Sequence, residues 1–288
     1  MSTRPRLNDQ RIAEALNLLK HSDSVEFKLT VPDTDQHSAV AALDLDPLEA
    51  ELRQVVFFDT PDLKLSRGGL VVRARRIRQC GDAVIKLRPV VPTDLSKKLR
   101  RSNGFTIEVD MMPNAVVCSG SLKVKVDNGD VKEVLAGNRP IRKLFQHEQR
   151  SFYEEHAPTN VDLDSLTPFG PITVAKLKFS ARRFWKRMAV AELWFYPDAS
   201  RILELSTKCA QDEAFQVLAE ARAFLTGRGI TSTGEQQTKT RKALEYFSRL
   251  HADDQRSKGP RRKKDHAFVG SRSGVALADR DVFRAAGS

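Results

Sequence analysis

At least five segments of this chain alternate strictly between apolar and polar residues, and the charges on each have a defined sign. Arg73 and Arg75 share one face of residues 70–77, with Val72 and Ala74 on the other. Lys86 and Arg88 oppose Ile85 and Leu87, while Glu108 and Asp110 oppose Ile107 and Val109. Glu26 and Lys28 alternate with Val25, Phe27 and Leu29. A period of two is the mark of a β-strand with one buried face. Residues 173–183 carry Lys176 and Lys178 in the same spacing and run into Arg182 and Arg183. Residues 189–196 set Glu192 among apolar neighbours. Pro197-Asp198-Ala199-Ser200 is turn chemistry, and the return strand, 202–206, bears Glu204.

Such strands can face water on their charged side. Three segments with helical apolar spacing argue against that here: residues 9–20, 214–225 (Phe215, Leu218, Leu225) and 238–250 (Leu244, Phe247, Leu250). If these helices cover the apolar strand faces, the charged faces turn inward into a closed sheet. The expected fold is then a closed sheet, a barrel with helices packed outside. About eight strands leave a lumen for side chains and one small ligand. A lumen lined by Arg, Lys, Asp and Glu is costly to leave dry and empty. Lys and Arg favour a phosphate chain, whereas carboxylates beside that chain repel it unless a divalent cation bridges them. Mg²⁺ and Mn²⁺ take oxygen ligands from both groups.

The link between the strand that ends near Phe58 and the strand at 70–77 is Asp59-Thr60-Pro61-Asp62, where Pro61 fixes φ and Asp and Thr side chains can bond nearby N–H groups. Residues 140–146 fit a short helix and 149–154 a strand. From His251 to Ser288 apolar periodicity ends, KGPRRKK appears, and the segment reads as a disordered basic tail. The domain boundary is therefore placed at residue 250.

The chain has 288 residues and a formal net charge of +11, which favours anionic partners. Nucleic acid is a secondary reading, confined to the tail, because no stacking aromatics interleave with its basic residues. Three scattered cysteines fit a reducing cytosol and exclude a thiolate zinc site. No apolar run is long enough to span a membrane as a helix. A cytoplasmic protein is expected. His147, His156 and His251 have no metal-ligand spacing.

The ordered set V-E-F-K (25–28), F-F-D-T-P-D-L-K-L (57–65), R-A-R (73–75), K-L-R (86–88), E-V-D (108–110), E-L (204–205) and T-K-T-x-x-A-L (238–244) resembles the CYTH, or triphosphate tunnel metalloenzyme, superfamily. The resemblance covers residues 24–247. It implies fold class α+β, a closed eight-stranded antiparallel β-barrel forming a tunnel in which basic residues bind a triphosphate and acidic residues bind one or two divalent metals, Mg²⁺ or Mn²⁺. By position, Lys28, Arg73, Arg75, Lys86, Arg88, Lys178, Arg182 and Lys239 would bind substrate. Glu26, Glu192 and Glu204 would bind metal, supported by Glu108 and Asp110, and Lys28 and Lys86 would stabilise charge during catalysis. The chain departs from the family's first-strand E-x-E-x-K, having Ser24 in place of the first glutamate. Its late E-x-E is halved to Glu204-Leu205-Ser206. Three functions stay open: a metal-dependent phosphohydrolase acting on inorganic triphosphate, polyphosphate or an organic triphosphate; a non-catalytic polyphosphate- or nucleotide-binding module; and an adenylyl cyclase.

Overall fold

The structure, a computed structural model, describes residues 9–113, 115–180, 187–230 and 238–257, with the side chains of residues 9–12 left aside. Nine strands close into one barrel. They are β1 (Ser24–Val31), β2 (Glu51–Asp59), β3 (Leu70–Ile77), β4 (Gly81–Leu87), β5 (Phe105–Met112), β6 (Ala115–Val126), β7 (Thr167–Ser180), β8 (Met188–Phe195) and β9 (Arg201–Cys209). The order around the barrel is β1-β5-β6-β4-β3-β2-β7-β8-β9, and β9 returns to β1. Eight helices are formed among the described residues: α1 (Asp9–Lys20), α2 (Gln36–Ala42), α3 (Lys64–Arg67), α4 (Lys97–Arg100), α5 (Asn128–Leu135), α6 (His147–His156), α7 (Ala214–Gly227) and α8 (Lys239–Ser257). None is long and apolar enough to cross a membrane.

This corrects the expected eight-stranded antiparallel barrel. The sheet is mixed, because β1 pairs in parallel with β5, Glu26 standing opposite Asp110. Alternation is the same in parallel and antiparallel strands, so the pattern could not reveal the direction of pairing. Residues 149–154 are helical, not a strand. Gln149, Phe152 and Tyr153 are the buried residues of α6, at the i, i+3, i+4 spacing of a helix. From α6, the Gln149 side-chain amide donates to the Ala83 and Leu122 carbonyls at 3.1 and 3.0 Å, tying the helix to β4 and β6.

Two apolar clusters result. The larger one lies on the outer strand faces, joining Val56, Phe58, Val72, Ala74, Ile85 and Val109 to α6 and α7. In α7 the buried residues are Ala214, Val217, Ala221 and Phe224, and Phe215 is 58 % exposed. The stripe thus lies one residue from the expected one. The smaller cluster joins Ala243 and Leu244 of α8 to Val55, Phe57, Phe169, Ile172, Val174 and Trp194. Register places these strand residues on the inward face, since Val55 opposes Arg75 and Phe57 opposes Arg73. So α8 departs from the expectation of helices outside only. It stops one end of the tunnel, where the inner face is apolar rather than charged. The helix runs to Ser257, and Leu250 is half exposed. Residues 258–288, including KGPRRKK, lie outside the described residues.

Candidate active site

The barrel encloses a cavity of about 1030 Å³, lined by eleven Lys or Arg and six Asp or Glu side chains. The strand period delivers them. Arg73 and Arg75 on β3 face inward beside Asp82, Lys86 and Arg88 from β4 and its end, and Glu108 and Asp110 face inward from β5.

The turn after β2 holds this arrangement in place. The Asp59 carboxylate accepts from the backbone N–H groups of Thr60, Leu65 and Ser66 at 2.7, 2.9 and 3.0 Å. Thr60 Oγ1 accepts from Lys64 N at 2.8 Å. The chain then reaches Gly69, whose φ is 77°. A Cβ there would lie 2.2 Å from the Arg88 carbonyl oxygen, so only glycine allows β3 and the end of β4 to meet. Arg88 N donates to the Gly69 carbonyl at 2.9 Å.

One wall is strongly cationic. Arg75 forks onto Asp82, with Nε 2.9 Å and Nη2 2.5 Å from its oxygens. Among the described residues Arg73 forms no carboxylate ion pair, and its buried Nε has no hydrogen-bond partner there. Burial, and then the Arg75 charge, lower its pKa to about 10, so it stays charged at neutral pH.

The opposite wall is acidic. Carboxylate oxygens of Glu26, Glu108 and Asp110 all lie within 4.8 Å of one another. The parallel pairing of β1 with β5 creates this cluster by setting Glu26 beside Asp110. Lysines neutralise it. Lys28 Nζ lies 3.0 Å from Glu26 and 2.6 Å from Asp110. Lys86 lies 3.7 Å from Glu108 and 3.5 Å from Asp110. Lys208 pairs with Glu108 and lies 3.9 Å from Glu26. Burial opposes charge on Asp110, but Lys28 and Lys86 outweigh it and bring its pKa down to about 2. Burial likewise opposes charge on Lys28, yet Glu26 and Asp110 raise its pKa overall. For Lys86, burial prevails and its pKa falls, with Asp110 opposing and Lys28 adding repulsion.

Glu192 and Glu204, directly opposite on β8 and β9, hold Lys239 from the start of α8. Its Nζ is 2.5 Å from Glu192 and 2.7 Å from Glu204, and 5.1 Å from the centre of the Trp194 ring. Burial disfavours the Lys239 charge, but Glu204 and Glu192 raise its pKa. Burial opposes ionisation of Glu192, but Lys239 and Lys176 lower its pKa. Of the three glutamates expected to share a metal, then, Glu26 alone belongs to the converging triad, and the two residues expected to support them complete it. Lys178 faces inward opposite Val190 but is exposed beyond the lining. Arg182 lies outside the described residues.

Sequence reasoning missed Arg53, Asp82, Lys123 and Lys208 as lining residues. Lys208 was within reach, because Glu204, Ser206 and Lys208 keep the period of two. Asp82 sits beside a turn and Arg53 at the start of a strand, where no pattern gives the facing.

The structure is thus a closed barrel with a charged lumen, stopped at one end by a helix. In fold the chain is similar to solved structures of candidate adenylyl cyclases, as its resemblance to the CYTH, or triphosphate tunnel, superfamily leads one to expect. Among solved structures, a candidate adenylate cyclase from Bacillus halodurans superposes with a TM-score of 0.53 at 12 % identity, covering 76 % of this chain and 97 % of that one. HpAC1 from Hippeastrum, a candidate adenylyl cyclase described as having a dominant triphosphatase activity, gives 0.53 at 18 % identity, covering 77 % and 95 %. No protein-family profile matches the chain, and no curated protein matches it.

Proposed function

We propose that the tunnel binds a linear triphosphate or polyphosphate and hydrolyses it with the help of a divalent cation. The observation that carries this reading is Arg73, a half-buried arginine beside a second arginine, whose buried Nε has no partner among the described residues. Burying an uncompensated cation is expensive, and a phosphate oxygen removes the cost. Two unit charges ~4 Å apart attract by about 4 kcal/mol at an effective dielectric near 20, so Arg73, Arg75 and Arg88 together can hold a multiply charged chain.

Three carboxylates without sulfur or imidazole form the donor chemistry that suits Mg²⁺ or Mn²⁺, and the triad fits such an ion. Glu26, Glu108 and Asp110 would hold it, and bound there it would neutralise phosphate oxygens and make a water more acidic. Lys28 and Lys86 then exchange carboxylate partners for phosphate oxygens. Their ammonium groups stabilise charge that builds on the phosphoryl group being transferred. The relative HpAC1, described as a triphosphatase, supports this reading at the level of fold.

A receptor without turnover is the second reading. It is favoured by Ser24 and Ser206, which bring no charge, and by the lysine already placed on every acid of the triad. A cyclase receives less support. Trp194, the one aromatic residue among the described lining, is 2 % exposed and lies between Lys239 and Phe57, so it offers no platform for a base.

The test is phosphate release from inorganic tripolyphosphate with Mg²⁺, with Mn²⁺ and with EDTA, beside Glu26→Ala and Arg73→Ala/Arg75→Ala. Hydrolysis that needs metal and disappears in both variants is expected. Binding without turnover, abolished only in the arginine variant, would establish the receptor. Absence of both would end the tunnel reading.

A further inference from the structure

The end of the tunnel opposite α8 carries more positive charge than its acids can match. Arg53, Lys123 and Lys176 line the cavity there, on β2, β6 and β7. Their carboxylate partners are shared. Asp82, 3.7 Å from Lys123, is already forked by Arg75. Glu192, 3.9 Å from Lys176, already holds Lys239. Among the described residues, Arg53 alone of the three has a carboxylate of its own, Glu51. Yet the side chains of Arg53 and Lys176 are only 11 % and 20 % exposed, whereas that of Lys123 is 55 % exposed at the rim. Like charges gathered in a partly enclosed mouth, with their carboxylates shared, repel one another, and an anion relieves that repulsion. Burial and the Arg53 charge push the Lys176 pKa down. Burial also lowers that of Lys123, with Asp82 opposing and Arg75, Arg73 and Arg53 adding repulsion.

We propose that Arg53, Lys123 and Lys176 form a second anion subsite, inside the open mouth, for the continuation of a linear polyphosphate whose inner end rests on Arg73 and Arg75. The subsite adjoins the arginine wall through Arg75, so one unbranched chain can run along both. Among the described lining residues the mouth offers no accessible aromatic face, which disfavours a nucleotide or single-stranded nucleic acid there. The protein should therefore select chains longer than triphosphate. This rests on the tunnel binding phosphate chains at all.

The experiment is calorimetric titration in EDTA with inorganic tripolyphosphate and with long-chain polyphosphate, counted per chain. Wild type should bind the long chain about tenfold more tightly. Lys123→Met with Lys176→Met should lose that preference while tripolyphosphate affinity stays within about twofold. Arg53→Met is the second variant, and circular dichroism confirms that each folds. Unchanged long-chain affinity in both variants, or equal weakening of both ligands, overturns the mouth subsite. Arg73→Ala/Arg75→Ala should abolish both ligands. If wild type itself binds neither, the tunnel reading has failed and the subsite falls with it. If wild type binds both and only the mouth variants are silent, the subsite alone has failed.

Discussion

Asp110 shows how much one residue can depend on a neighbour far away in sequence. Its carboxylate is 2 % exposed and sits between Lys28 and Lys86, 82 and 24 residues distant. Its folded pKa, about 2, lies below the ordinary 3.8. The depressed value means the ionised form is the one folding favours. That stability is fully present above about pH 4 and is lost as pH falls towards 2. A shift of this size corresponds to about 2 kcal/mol. Asp110→Asn should therefore destabilise the protein by roughly that amount at pH 7 in urea titrations, and the gap to wild type should narrow below about pH 4. A gap that stays constant down to pH 3 would show that the loss is one of packing. Arg73, Arg75, Lys86, Arg88 and Asp110 were legible from alternation because each sits mid-strand or at a strand end with the period intact. The partner each acid takes was not, because the lysines that neutralise Glu26, Glu108 and Asp110 come from three different strands.

Among the elements, the turn at 59–66 and helix α8 decide the geometry. Asp59 satisfies three backbone N–H groups at once, which explains why this turn motif is so compact. Asp59→Ala leaves those donors without an acceptor in a buried place and should cost at least about 2 kcal/mol by thermal or urea denaturation. Helix α8 is fixed by Leu244 in the inner apolar cluster and by Lys239 on two carboxylates. Leu244→Ala should cost about 2–5 kcal/mol. Lys239→Met removes the lysine shared by Glu204 and Glu192, leaving Glu192 with Lys176 at 3.9 Å, and should cost about 3 kcal/mol. Adding Glu192→Gln and Glu204→Gln to Lys239→Met should recover part of that loss. No recovery would mean that Lys239 acts through its stem against Trp194 rather than through its charge. The helix and its TKT start were visible in sequence, but its place was not. Its apolar stripe would fit the outer strand faces equally well, and only the apolar inner end of β2, β7 and β8 makes the tunnel floor the better seat.

At the scale of the molecule, the tunnel concentrates positive charge inside a closed sheet. Affinity for tripolyphosphate should fall as salt rises, but less steeply than for an open basic surface, because enclosed charges are screened less than exposed ones. Titrations in EDTA between low and high salt check this. A slope as steep as that of a peptide carrying KGPRRKK would place binding on the C-terminal stretch instead. The sequence by itself determined the charged strands, which face of each is charged and with what sign, and the turn that joins β2 to β3, though it also offered a strand at 149–154 that is a helix. Those are local properties, set by a period of two and by side chains bonding the nearest backbone. The tertiary structure alone decided that β1 runs parallel to β5, that Glu26, Glu108 and Asp110 form the acid triad, that Glu192 and Glu204 hold a lysine, and that α8 stops one end. Each depends on which strand lies beside which, and alternation fixes the face a residue shows without fixing the neighbour it meets.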